Sequence, residues 1–144
     1  MASPRSRKSE LHGVHTAQGS IITLAADTED KLLVWRNNTG SKVKIGKAAF
    51  TPDETLTGAD TNSVSLQFQS RLAAGGASKN ITAVKDYVSG VDIAQFVEDA
   101  LVLSTTAADL EVDDGELVIL DVLMPGTGLA LPAGLATLEY SFIA

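Results

Sequence analysis

The 144-residue sequence contains no cysteine, which removes disulfide bonds, thiolate metal sites and cysteine nucleophiles together. Histidine is almost as scarce, His12 and His15 being the only two. Aromatic residues make up 5% of the chain, too few for the several exposed rings of a carbohydrate-binding groove. Basic residues number 11 against 18 acidic ones, a formal charge of −7. A nucleic-acid partner is not expected, because neutralising phosphates requires a surplus of Lys and Arg. Long apolar runs are missing as well. The longest candidate, "LVILDVLM" from Leu117, is interrupted by Asp121 and falls far short of the ~18 residues of a membrane-spanning helix, so no membrane partner is expected either.

What is present is enough for one domain. A chain of this length buries roughly 68–70% of the surface its unfolded form exposes, so a single core needs no metal or disulfide. The basic residues are unevenly placed. "MASPRSRKS" holds Arg5, Arg7 and Lys8 before the first acid, Glu10, and removing these three from the 11 basic residues leaves eight against 18 acids, or −10, for the remainder. The opening resembles the charged end of a secretory leader, but "ELHGVHTAQGS" supplies no apolar stretch after it, so no leader is expected. Composition predicts a flexible basic arm over residues 1–18 and a folded domain over 19–144.

From Ser20 onward the period is mainly two. "SVSLQFQSR" places Val64, Leu66 and Phe68 on one face and Ser65, Gln67 and Gln69 on the other, the pattern of a strand with one wet face. "LATLEYSFI" alternates in the same way. Further strands are predicted at "SIITLAA" from Ser20, "KLLVWR" from Lys31, "SKVKIGKAAF" from Ser41, "NITAVKDYV" from Asn80, "DALVLS" from Asp99 and "ELVILDVL" from Glu116. Turn-forming residues separate them. Only "VDIAQFVEDAL" from Val91 has helical spacing, for one or two turns. About eight short strands predict an all-β sandwich or barrel, and the eight-stranded jelly-roll sandwich is the member of that set that fits the count.

The turn-rich "TPDETLTGADTN" from Thr51 is near the length at which a structureless connection becomes unusual. It is either a crossing between two sheets or a contact surface. The order "LLVWRNNTG", "FTPDETLTGADTNSVSLQFQSR" and "DGELVILDVLMPGTGLALPAGLATLEYSF" resembles small head decoration proteins of tailed bacteriophages. The most recognisable pieces are Pro52 to Gly58 and Gly126 to Pro132. The resemblance implies a β-sandwich that assembles on the outside of a capsid, commonly as a homotrimer, and binds the major capsid protein.

Other motifs point to chemistry only weakly. His12 and His15 could share a helical face and hold zinc, but only Glu10 is nearby as a third ligand and Gly13 disfavours the helix; they read as solvated arm residues. A Ser-His-Asp triad would have to draw its histidine from the arm, and no nucleophile elbow supports it. "GTGLAL" from Gly126 lacks the third glycine of a dinucleotide loop and reads as a tight hairpin between strands. Asp109, Glu111, Asp113, Asp114 and Glu116 form an acidic loop without the pattern of a calcium-binding loop. "NNT" at Asn37 and "NIT" at Asn80 match glycosylation acceptors by chance. Trp35, in the apolar run "LLVWR", reads as core or as an aromatic platform.

With no motif that points firmly to chemistry, the resemblance implies a non-enzymatic structural protein located on a virion surface after assembly in the host cytoplasm, which decorates and stabilises a capsid. A carbohydrate- or calcium-binding sandwich module, displayed on a virion or cell surface, is the alternative. The residues expected to bind the capsid are Arg5, Arg7 and Lys8 of the arm and Pro52, Asp53, Glu54, Thr57 and Asp60 of the loop. No catalytic residue, metal, cofactor or small-molecule substrate is expected.

Overall fold

The computed structural model describes residues 13–72 and 78–143. Its strands are β1 (His15–Ile21), β2 (Asp30–Arg36), β3 (Val43–Pro52), β4 (Ser65–Arg71), β5 (Ser78–Asn80), β6 (Lys85–Asp86), β7 (Asp99–Ala100), β8 (Glu111–Val112), β9 (Leu117–Leu123) and β10 (Gly134–Phe142). One sheet has the order β1-β10-β3-β7 with β8 added to β3; the other has β2-β9-β4-β5 with β6 added to β4. Every pairing is antiparallel. With β5 and β6 counted as one interrupted strand and β8 as an appendage, eight strands follow the orders 1-8-3-6 and 2-7-4-5, the wiring of a jelly roll. The protein is an all-β sandwich.

The core lies between the sheets. Val43, Ile45 and Phe50 of β3, Leu66 and Phe68 of β4, Leu120 of β9 and Leu138 of β10 are all fully buried. Two irregularities decide which residues face it. In β3 the register against β10 skips Gly46, with Glu139 opposite Lys47 but Tyr140 opposite Ile45. The skipped residue reverses the phase, so that Val43 and Ile45 point inward before it and Ala48 and Phe50 after it. In β2 the register skips Val34, which brings Trp35 onto the same side as Leu32, against the core.

One side of the sandwich is closed by a segment that changes sheets. Ala100 pairs with Ala49 of the first sheet, whereas Leu103 bridges to Thr82 beside the second. Backbone hydrogen bonds from Leu101 to Ala48 at 2.9 Å and from Ala83 to Val102 at 2.8 Å secure both halves.

The structure corrects several expectations. β1 begins at His15, so residues 15–18 are strand rather than arm, held by pairing with β10; residues 1–12 of the arm lie outside the described residues. His15 is half-buried rather than a free arm residue. Its ring stacks on Tyr140 at 5.5 Å and meets Phe142 edge-on at 5.1 Å. The outer face of β4 is not wet, because Ser65, Gln67 and Gln69 are about nine-tenths buried or more. β4 is interior to its sheet, and these side chains bond to its neighbours: Ser65 donates to Asp86, Gln67 to the Thr82 carbonyl and Gln69 to Asn80. "VDIAQFVEDAL" forms no helix. Ile93 is buried through a bridge to Leu56, while Phe96 and Val97 are exposed, so its apolar spacing comes from an irregular segment with alternating destinations. The one helical turn among the described residues is a 3-10 turn at Ala107–Leu110. The Gly126 segment joins β9 and β10, which belong to different sheets, and is a crossing rather than a hairpin.

Asn37 fastens one corner. It is fully buried; its amide donates to the Ser41 carbonyl at 2.9 Å and to the Val112 carbonyl at 3.0 Å, and its side-chain oxygen accepts from Thr39. Its backbone N–H donates to Glu116 and its carbonyl accepts from Gly115. No glycan can be attached at a side chain so enclosed. Replacing Asn37 with Asp places a carboxylate against two carbonyl oxygens and removes both donors, and is expected to lower stability by about 3 kcal/mol. Chemical denaturation of the two proteins checks this; a loss below about 1 kcal/mol contradicts the role.

Candidate partner-binding surface

The Thr51 to Asn62 connection crosses from β3 to β4 and is fastened to two other crossings. Leu56 and Ile93 exchange backbone hydrogen bonds at 2.8 and 2.9 Å, and both side chains are buried. Asp53 donates its N–H to the Ala133 carbonyl, and Ala59 to the Tyr87 carbonyl. Gly58 lies against the 88–91 turn so closely that an added Cβ would stand 1.9 Å from the Val88 carbonyl oxygen, and no side chain fits there. Its N–H donates to Asp92 at 2.8 Å. Asn62 accepts from the Thr127 N–H at 2.9 Å. The two stretches that carried the phage resemblance, 52–58 and 126–132, are therefore parts of one interlocked end of the sandwich.

This end contains a side chain that sequence reasoning missed. Phe96 is 71% exposed and sits at φ 63°, in the left-handed region that bulky residues avoid at a cost of about 1–2 kcal/mol. The conformation is imposed from both sides. Phe96 donates its N–H to the Pro52 carbonyl at 2.9 Å, and Val97 donates to the Ala94 carbonyl. Gln95 donates from its backbone to the Thr55 hydroxyl and from its side chain to the Asp53 carbonyl. After the turn, Glu98 pairs with Lys47, a hydrogen bond that raises the lysine pKa. Asp99 accepts from Lys85 at 2.6 Å and from the buried Tyr87 hydroxyl at 2.7 Å. Burial first, and then this bond, push the Tyr87 pKa far above its ordinary value. A large apolar ring is thus held in water, in a strained conformation, on a rigid base. The signal in the sequence was a lone aromatic inside "AQFVED", and the apparent helical spacing concealed it.

The structure divides the expected contact residues. Arg5, Arg7 and Lys8 lie outside the described residues. Pro52 and Asp53 line a mainly apolar cleft of about 470 Å³ with Ile21, Phe96 and Leu135. Glu54 and Thr57 border a separate hollow of about 290 Å³ beside Leu129 and Pro132. Asp60 is a brace, its carboxylate accepting the Ser89 N–H at 3.0 Å.

The acidic loop is committed locally. Asp109 accepts from Ser104, Asp114 from the Gly40 N–H and Glu116 from the Asp113 N–H, while Glu111 and Asp113 face Lys42 at 3.8 and 3.4 Å. Among the described residues no three His, Asp or Glu side chains converge as a metal site would require.

The sequence matches no family model and no curated protein. Among solved structures, the infectious bursal disease virus VP2 subviral particle is similar over 90% of this chain and 33% of that one, with a TM-score of 0.50 and 9% identity. The structures of the Gx and Gt strains of the same virus give TM-scores of 0.49 and 0.35 at 10% and 8% identity, over 90% and 93% of this chain and 32% and 36% of theirs. The chain spans about a third of the length of the chains it matches. At this identity the VP2 likeness concerns the fold alone, a β-sandwich of similar course.

The strain at Phe96 has a measurable sign. Phe96→Gly removes the left-handed penalty and very little buried surface, offset in part by the greater freedom of glycine in the unfolded chain. It is expected to leave stability unchanged or raise it by up to about 1 kcal/mol. Thermal melts check this, and a loss greater than about 1 kcal/mol would show that Phe96 serves the fold.

Proposed function

We propose that the chain is a structural virion protein that binds the outside of a capsid, through contacts with the major capsid protein, and stabilises the shell. The observation that carries this reading is Phe96, an exposed aromatic kept in a strained backbone conformation beside Pro52 and Asp53. Strain held in place by surrounding hydrogen bonds belongs to sites of recognition more than to inert surface. The jelly-roll wiring and the likeness to a viral VP2 particle support the virion setting. The resemblance to phage head decoration proteins supplies the finer assignment.

In this reading Phe96 enters an apolar socket on the capsid subunit, and Asp53 meets a basic group at its rim. The basic arm, with Arg5, Arg7 and Lys8, makes an electrostatic contact with an acidic part of the capsid or a neighbouring copy. Each contact is modest, but many copies bridging a symmetric lattice act at high effective concentration. Binding only the assembled shell stabilises it by mass action. A homotrimer at a local three-fold belongs to the same proposal. The apolar strands "LVILDVLM" and "AAF" are mostly buried, with Leu123 the one exposed side chain at 38%, and offer little surface for its contact. Val84 and Val102, 50% and 74% exposed at the Thr82–Leu103 bridge, are the better candidates.

Co-sedimentation with undecorated capsids tests the reading. Phe96→Ala is expected to reduce occupancy about tenfold or more, as loss of a central aromatic anchor does, without unfolding the protein. Deleting residues 1–12, which leaves β1 whole, is expected to weaken binding at low salt and to matter little at high salt, where the contact is already screened. If the wild-type chain does not pellet with capsids, the capsid assignment fails; if Phe96→Ala pellets as well as wild type, the anchor lies elsewhere.

A further inference from the structure

The side of the sandwich opposite the sheet-changing segment is built from two terminal strands. β1 ends one sheet and β2 ends the other, and neither has a further hydrogen-bonded neighbour among the described residues. β2 crosses the inner face of β1 at Gly19, where an added Cβ would lie 2.4 Å from the Val34 carbonyl oxygen. This contact covers a face of β1 and leaves its edge open. Beside it is a cleft of about 610 Å³, bordered by Gly19, Val34, Trp35, Arg36, Asn38 and Tyr140, within the size range of ligand sites.

Three observations indicate what fits. β1 pairs with β10 over seven unbroken positions, and its sequence, "HTAQGSI", holds no lysine, proline or bulge. Those are the devices with which free edges usually repel added strands; β2, by contrast, carries Asp30, Lys31 and a bulge at Val34. The two rings lining the cleft stack on each other, Trp35 on Tyr140 at 4.9 Å, and Tyr140 stacks in turn on His15 at 5.5 Å. Each already has a face occupied by a neighbouring ring, which suits an apolar side chain lodged against them better than a flat sugar ring. Arg36, at the rim, is exposed and makes no ion pair with the described residues, although the chain has 18 acidic residues.

We infer that this cleft receives an extended acidic peptide segment of another protein, added to the free edge of β1 as a further strand. Main-chain hydrogen bonds supply affinity, alternate side chains enter the cleft against Trp35 and Tyr140, and a carboxylate meets Arg36. This inference does not depend on the capsid reading or on the Phe96 surface.

A random linear dodecapeptide library selected on the intact chain provides the test. The enriched peptides are expected to alternate apolar and polar residues around one Asp or Glu. They should also change the emission of Trp35, the only tryptophan, and slow amide exchange along His15–Ile21. Arg36→Gln, at an exposed position that does not endanger folding, should weaken them about tenfold. Replacing the peptide's acid with its amide should cost the same factor in wild type and little in the variant. The inference is overturned if no sequence is enriched, if enriched peptides bind Arg36→Gln equally well, or if they leave Trp35 emission and β1 exchange unchanged. Saturable binding of simple sugars that alone alters Trp35 emission would assign the cleft to saccharides instead.

Discussion

The pairing of Leu56 with Ile93 is the contact on which the exposed end of the sandwich depends. Two backbone hydrogen bonds join connections that are far apart in sequence, and the two buried side chains continue the core beyond the last regular strand. Once they are joined, Gly58 is set against Val88, Gln95 reaches Asp53 and Thr55, and the turn that displays Phe96 has no freedom left. A connection of this length would otherwise be mobile. Here loop residues obtain the geometric definition of a sheet, which a recognition surface needs if ordering is not to be charged against binding.

The acidic surplus has a role that net charge does not reveal. Asp60, Asp86, Asp92 and Asp114 each accept a hydrogen bond from a backbone N–H or a hydroxyl of another segment, Asp109 accepts one from the nearby Ser104 hydroxyl, and Asp99 and Asp121 receive lysines. Aspartate is short, and its carboxylate takes several donors at once, so it ties connections together where no ladder exists. Much of the negative charge is thus architecture at the places where the chain changes direction, and less of it is free to select partners than the composition suggests.

How much of this was legible follows from how local each signal is. β4 and β10 announced themselves, because alternation over seven or more residues is a property of the strand itself, and β9 did so only as a short apolar run. The phase of β3 on either side of Gly46 and the inward turn of Trp35 were less visible, since a bulge exists only relative to a partner strand. The polar face of β4 looked solvated because Ser65, Gln67 and Gln69 are polar, yet flanking strands cover them and satisfy them. At the candidate surface, Pro52 and Asp53, which border the same cleft as Phe96, were singled out by turn chemistry. Phe96 was not, because its meaning lies in a backbone angle fixed by residues some 40 positions away.

The segment from Asp99 to Ser104 gives the sandwich an asymmetry in time as well as in shape. Because it is bonded to both sheets, they are stitched together along that side like pages at a spine. Along β1 and β2, among the described residues, they meet by side-chain packing and the close approach at Gly19 rather than by a ladder. Fluctuations that separate the sheets must therefore start at the unbound margin and spread toward the spine, the least costly opening coming first. An opening of this kind would part first at the margin where Trp35, Tyr140 and His15 stack, as a book opens away from its spine.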